Sequence, residues 1–166
     1  ILRPVRGLSL STNLSILDAK YDTFLGAQCY PNQPGCAADG TFDASGNRLT
    51  FAPKFTSTVS ASYEVPVSDA ASLAFDASYY HRSSVESIVS APPGSRIEPL
   101  DILNASIGFR GERFSAALFC KNCTNQVYAL QTGIEPGDSN TGILSLRQRI
   151  GIDSVRSIGI RFGFNY

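Results

Sequence analysis

The 166-residue chain carries 14 basic and 14 acidic residues, a formal net charge of zero, and so has no electrostatic footprint for nucleic acid. Charged residues make up 17% of the chain against ~25% in soluble domains, and 43% are hydrophobic, a balance expected when one face of each strand meets lipid and the other water. No apolar run of about 18 residues exists, so a transmembrane helix is excluded and any crossing must be made by strands.

The opening Ile1-Leu2-Arg3-Pro4-Val5-Arg6-Gly7 has neither a Met nor an apolar core of signal-peptide type, so the expectation is a chain that begins inside something larger or after processing. From residue 8 to 16, Leu8, Leu10, Leu14 and Ile16 alternate with Ser9, Ser11, Asn13 and Ser15. A period of two is strand geometry, because successive side chains point to opposite faces.

A long connection over residues 22–50 follows. Within it, Pro31, Pro34 and Gly35 fold the chain back between Cys29 and Cys36, so a disulfide-closed loop and an oxidising compartment are expected. Asp18, Asp22, Asp39 and Asp43 lie in or near this loop, but without the oxygen-ligand spacing of an EF-hand they read as solvated carboxylates before calcium ligands.

The next strand, 55–65, sets Phe55, Val59, Ala61, Tyr63 and Val65 against Thr56, Thr58, Ser60, Ser62 and Glu64. A short turn over residues 66–71 leads to strand 72–80, where Leu73, Phe75, Ala77 and Tyr79 form the apolar set. Residues 81–99 form a second long connection, opening on His81, which reads as an interfacial residue beside an aromatic belt and not as a general base.

In strand 102–110, Leu103, Ala105, Ile107 and Phe109 alternate with Asn104, Ser106, Gly108 and Arg110. Little more than Gly111-Glu112 separates it from a strand beginning at Arg113, with Phe114, Ala116, Leu118 and Cys120 on the apolar face. In a regular strand Cys120 and Cys123 would stand about 10 Å apart, beyond disulfide reach unless a bulge intervenes. With one histidine and no second CxxC, a zinc site lacks ligands.

A third long connection covers residues 131–154. The last strand, 155–166, is strictly alternating: Ile158, Ile160, Phe162, Phe164 and Tyr166 against Ser157, Gly159, Arg161, Gly163 and Asn165. Six strands are thus readable, each able to reach the ~9–11 residues of a tilted membrane strand. Long and short connections alternate, so in an antiparallel meander all long loops share one end, as in outer-membrane barrels. The expected fold is all-β, an antiparallel up-and-down transmembrane β-barrel segment. A soluble extracellular β-sandwich that binds a ligand or partner, and a complete small barrel with a structural or adhesion role, are the alternatives.

Several segments carry a resemblance: residues 53–63, Leu103-Asn104-Ala105-Ser106-Ile107-Gly108-Phe109, residues 118–128 and the ending Gly159-Ile160-Arg161-Phe162-Gly163-Phe164-Asn165-Tyr166. Together they resemble the closing strands of TonB-dependent outer-membrane receptors. Asn122, Thr124, Asn125 and Tyr128 fall on that family's penultimate-strand signature, with Cys123 in place of its usual leucine.

The resemblance implies that residues 1–166 are the last six strands of a barrel of about 22, without its plug domain and earlier strands. It further implies active uptake across the bacterial outer membrane of a scarce nutrient such as a ferric siderophore, cobalamin or an oligosaccharide. The implied partners are outer-membrane lipid and lipopolysaccharide, the rest of the barrel and its plug, the TonB–ExbB–ExbD complex and the barrel-assembly machinery, which would read Phe162, Phe164 and Tyr166. No cofactor and no enzymatic activity are implied. If the long loops share one end, Tyr30, Phe42, Arg48, Arg82, Arg96, Gln131, Glu135, Asp138, Arg147 and Arg149 gather at the extracellular mouth. Of these, Tyr30, Arg82, Arg96, Arg147 and Arg149 are the ligand-binding candidates, the arginines favouring an anion.

Overall fold

The computed structural model describes residues 1–135 and 143–164. Twelve strands occur among these residues: β1 (Leu8–Ile16), β2 (Ala27–Gln28), β3 (Thr41–Phe42), β4 (Phe55–Ser68), β5 (Ala71–Arg82), β6 (Val85–Glu86), β7 (Arg96–Ile97), β8 (Leu100–Gly111), β9 (Phe114–Lys121), β10 (Ala129–Ile134), β11 (Leu146–Ile150) and β12 (Ser157–Phe164). The six long ones form a single antiparallel sheet in the order β1-β4-β5-β8-β9-β12, a meander in chain order. Two residues join β4 to β5 and two join β8 to β9, whereas the connections over residues 17–54, 83–99 and 122–156 all return at the opposite end.

Register converts the alternation of each strand into rows across the sheet. One row reads Leu8, Tyr63, Phe75, Ile107, Leu118 and Ile160. Above it run Leu10, Ala61, Ala77, Ala105, Cys120 and Ile158, then Thr12, Val59, Tyr79 and Leu103. Below it run Val65, Leu73, Phe109, Ala116 and Phe162, then Phe114 opposite Phe164. Five rows two residues apart rise about 27 Å along a strand, or about 20 Å once tilted by ~40°, near the ~25 Å apolar band of membrane barrels.

Among the described residues, no second sheet covers this face. Ile160 is 64% exposed, Phe162 71% and Phe164 76%. A sandwich would bury these side chains, and the described residues supply no sheet that does so. Phe109 lies in the same outward set but is partly covered, because its ring stacks on Phe114 at 5.5 Å.

The opposite face is polar and self-satisfied. Ser62 donates to Asp76 at 2.6 Å and Ser106 to its other oxygen at 3.3 Å, while Glu64 accepts from Ser72 at 2.5 Å and Arg110 at 3.1 Å. Hydroxyls, Asn104 and Lys121 line a hollow of about 370 Å³ there. Such a surface suits water and leaves no need for an apolar neighbour.

Burial is concentrated at the loop end. Of the buried apolar residues among those described, Ala27, Ala44, Val85, Ile97 and Leu100 belong to the loops or the start of β8, and only Ala74 lies well inside the sheet. The long connections, expected as plain loops, each hold a short hairpin: β2–β3, β6–β7 and β10–β11. They are tied to one another. Phe51 N–H donates to the carbonyl of Glu86 at 2.9 Å, and Ser87 links to Thr132 by two hydrogen bonds of 2.7 and 2.9 Å. Residues this far apart in sequence find each other only because the strands bring all three loops to one end.

Cys29 and Cys36 close the loop tip at disulfide distance, with Cα atoms 6.1 Å apart. Peptide mapping without reductant is expected to recover residues 29 and 36 cross-linked. Two free thiols there would refute the bond.

Cys120 and Cys123 correct the expectation of a 10 Å separation: their Cα atoms lie 5.5 Å apart. The strand does not continue through them. It stops at Lys121, and Asn122 takes a left-handed conformation (φ 46°) that turns the chain. Buried Asn122 holds the turn by exchanging two 3.0 Å side-chain hydrogen bonds with the Gln126 backbone, as short polar side chains can. The signature segment therefore forms a turn and not strand, and β12 starts at Ser157 because the 3-10 turn Ile152–Ser154 precedes it. Tyr166 and Asp138 lie outside the described residues.

Candidate ligand site at the loop end of the sheet

The five ligand candidates all belong to the end where the long loops gather, yet their local settings differ. Tyr30 is at the tip of the first loop, its N–H received by the Gln33 side chain at 3.1 Å. Arg82 ends β5 on the polar face. Arg96, on β7, donates to Ser84 and lies 4.0 Å from Glu86. Arg147 forms a two-point ion pair with Glu135, one arm at 2.7 Å. Arg149 follows on β11, and with Arg147 and Glu135 it borders a small cleft. β7 and β10 adjoin, so Arg96 and the third hairpin belong to one cluster, whereas Tyr30 belongs to the separate β2–β3 hairpin.

Ion pairing removes part of the field the arginines were expected to supply. Glu135 neutralises Arg147, and Glu86 offsets Arg96.

The acidic residues of the first loop turn inward on their own chain. The Thr41 hydroxyl and N–H donate to Asp39 at 2.7 and 3.1 Å and hold its carboxyl below the usual range; Ser45 does the same for Asp43. Both carboxylates are fully exposed, and no group of three metal-ligating side chains forms among the described residues.

His81 hydrogen-bonds Asp101 at 2.7 Å, and the Tyr79 hydroxyl donates to the same oxygen at 2.5 Å. By register this trio is on the outer face, at the loop-side margin of the apolar rows. Polar heads above, an aromatic body below: this is the arrangement of a membrane-interface belt.

A second, larger hollow of about 820 Å³ opens on the polar face between the tops of β8 and β9 and the segment leading into β12. Ile102, Phe119, Tyr128, Ile152 and Val155 give it apolar walls, and Lys121, Arg156 and Asp153 its charges. The segment is fixed, since the Arg156 N–H donates to the side chain of Asn125 at 2.8 Å and Asn125 itself sits in the Asn122 turn. The tip of the Phe119 ring lies over Gly159, where an added Cβ would come within 2.6 Å of it, and the Arg161 guanidinium sits 5.6 Å from the ring centre. Sequence alternation alone points Lys121 to the polar side. For Arg156 the alternation misleads: the expected strand 155–166 puts it on the apolar side, whereas β12 begins at Ser157 and leaves Arg156 in the segment before it.

No protein-family model matches the chain, and no curated protein matches it in sequence. Among solved structures, the ferric yersiniabactin uptake receptor FyuA of Yersinia pestis superposes with a TM-score of 0.71 over 96% of this chain, at 15% identity. The sheet has the fold of a stretch of that receptor's barrel wall. This chain spans 21% of that receptor, so the similarity speaks to the wall's architecture. Its antiparallel meander and the sorting of its loops to one end are those of a barrel segment; the sheet edges at β1 and β12 are left unclosed among the described residues.

Proposed function

We propose that this chain is the closing part of the barrel of a TonB-dependent outer-membrane receptor that takes up a scarce nutrient such as a ferric siderophore. One observation carries the reading: five apolar rows on the outside of a meander whose inside is polar and whose long loops share one end. Lipid satisfies the outer face, and only a closed barrel satisfies the strand edges within it. Residues of the loop hairpins, Tyr30, Arg82, Arg96, Arg147 and Arg149 among them, then face arriving ligand. Phe162, Phe164 and Tyr166 serve the assembly machinery, and energy comes through a plug from TonB–ExbB–ExbD. The uptake reading draws on the ferric yersiniabactin receptor, whose barrel wall has a similar fold.

The test uses cells producing the full-length receptor. Fractionation should place it in the outer membrane, extractable only with detergent, and radio-iron supplied as ferric siderophore should accumulate only when TonB is present. Recovery in the soluble fraction, or accumulation that ignores TonB, would overturn the proposal.

A further inference from the structure

Resting on that transport reading, we infer that the hollow between β9 and the entry to β12 is a ligand subsite selecting an anionic ligand with a flat apolar or aromatic face, with Lys121 and Arg156 as its charge-reading residues. The choice of cations follows from position in the hollow together with partners. Arg147 is matched by Glu135, Arg96 by Glu86 and Arg110 by Glu64. Among the described residues, the side chains of Lys121 and Arg156 have no carboxylate within ion-pair distance, although both line the hollow together with Asp153.

Two uncompensated cations against one carboxylate leave a net positive site. It lies in a concave surface with low-dielectric walls, where an anion's field is focused and less screened than on an open loop. The apolar lining is the second half of the specificity. Tyr128 offers a ring and Phe119 the part of one that Arg161 and Gly159 leave open, while Ile152 and Val155, 92% and 52% exposed, are left bare by the described residues. A saccharide or a neutral hydrophilic chelate would bury these groups poorly and leave both cations without a counter-charge. A ferric tris-catecholate, anionic and faced with aromatic rings, matches both halves.

The geometry is also preorganised. Asn122 and Asn125 lock the turn after β9, and Asn125 receives the Arg156 N–H, so the backbone carrying each cation is set before any ligand arrives.

Equilibrium binding to the purified full-length receptor in detergent tests the inference with two probes of similar size: an anionic ferric tris-catecholate and a neutral ferric tris-hydroxamate, both labelled with radio-iron. The catecholate is expected to bind and to weaken as salt rises. Lys121→Gln combined with Arg156→Gln should weaken it on the order of tenfold or more and flatten the salt dependence. Arg156→Lys, which keeps the charge, should recover much of the loss, and Arg113→Gln at the far turn should change nothing. Retained heat-resistant migration on gels shows that each variant is folded. Preference for the hydroxamate, or parental catecholate affinity in the folded double variant, would overturn the subsite and leave the transport reading intact. Binding of neither probe, together with no TonB-dependent accumulation in cells, would overturn both.

Discussion

Replacing Ile160 with arginine is expected to cost the barrel about 2–4 kcal/mol, the range for a cation placed on the lipid face near the bilayer midplane. Ile160 stands in the third of five apolar rows, flanked in register by Leu118, and is 64% exposed to whatever surrounds the sheet. In hydrocarbon the guanidinium can escape only by snorkelling, and from the central row both interfaces are far away. On the other face the same strands tolerate change: Ser106→Ala removes a 3.3 Å hydrogen bond from Asp76, which keeps its bond from Ser62, and should stay within about 0.5 kcal/mol. Denaturant titration of the full-length receptor in lipid vesicles measures both. Equal, small effects for the two substitutions would mean that Ile160 does not meet lipid, and the membrane reading of the outer face would fall with it.

At Gly7 the expected loss has a different origin. The chain turns back there so that Leu2 pairs with Leu10, and Gly7 adopts a φ of 85° while its carbonyl receives the Glu64 N–H at 3.0 Å. A Cβ at this position would stand 2.3 Å from the Glu64 carbonyl oxygen, a backbone atom of β4 that cannot swing aside. Gly7→Ala therefore combines a left-handed conformation, worth about 1–3 kcal/mol by itself for a non-glycine residue, with a collision that must part β1 from β4. The same titration should show a fall of at least about 2 kcal/mol. A change below ~0.5 kcal/mol would show that the turn relaxes freely. Gly26, Gly35, Gly40 and Gly46 share the positive φ but have open space around them, so alanine there should cost only the conformational part.

Most of the sheet was legible in the sequence because each of its strands keeps one apolar and one polar face along most of its length. The period of two holds from Phe55 to Val65 except at Ser57 and runs unbroken from Ser157 to Phe164, and the structure puts strands there with little adjustment. Where the ends differ, a local reason appears. β4 runs on to Ser68 past Pro66, which lacks an N–H, and the ladder accommodates it with an irregularity between Pro66 and Ser68. The turn at Asn122 was hidden because its lock depends on Gln126 and Asn104, partners that periodicity does not report.

The sequence by itself determined the strand positions, the two faces and the sorting of loops to one end, because alternation and connection length are local properties and antiparallel order does the rest. Only the tertiary structure decided which cations are free. Arg147 and Glu135 are 12 residues apart and Arg110 and Glu64 are 46 apart, and each pair meets through strand register. The same holds for the hollow beside Lys121 and Arg156, whose walls come from β8, β9 and the segment before β12. Charge neutralisation and cavity shape depend on what is near in space, and spacing along a chain constrains that only where a ladder fixes the register.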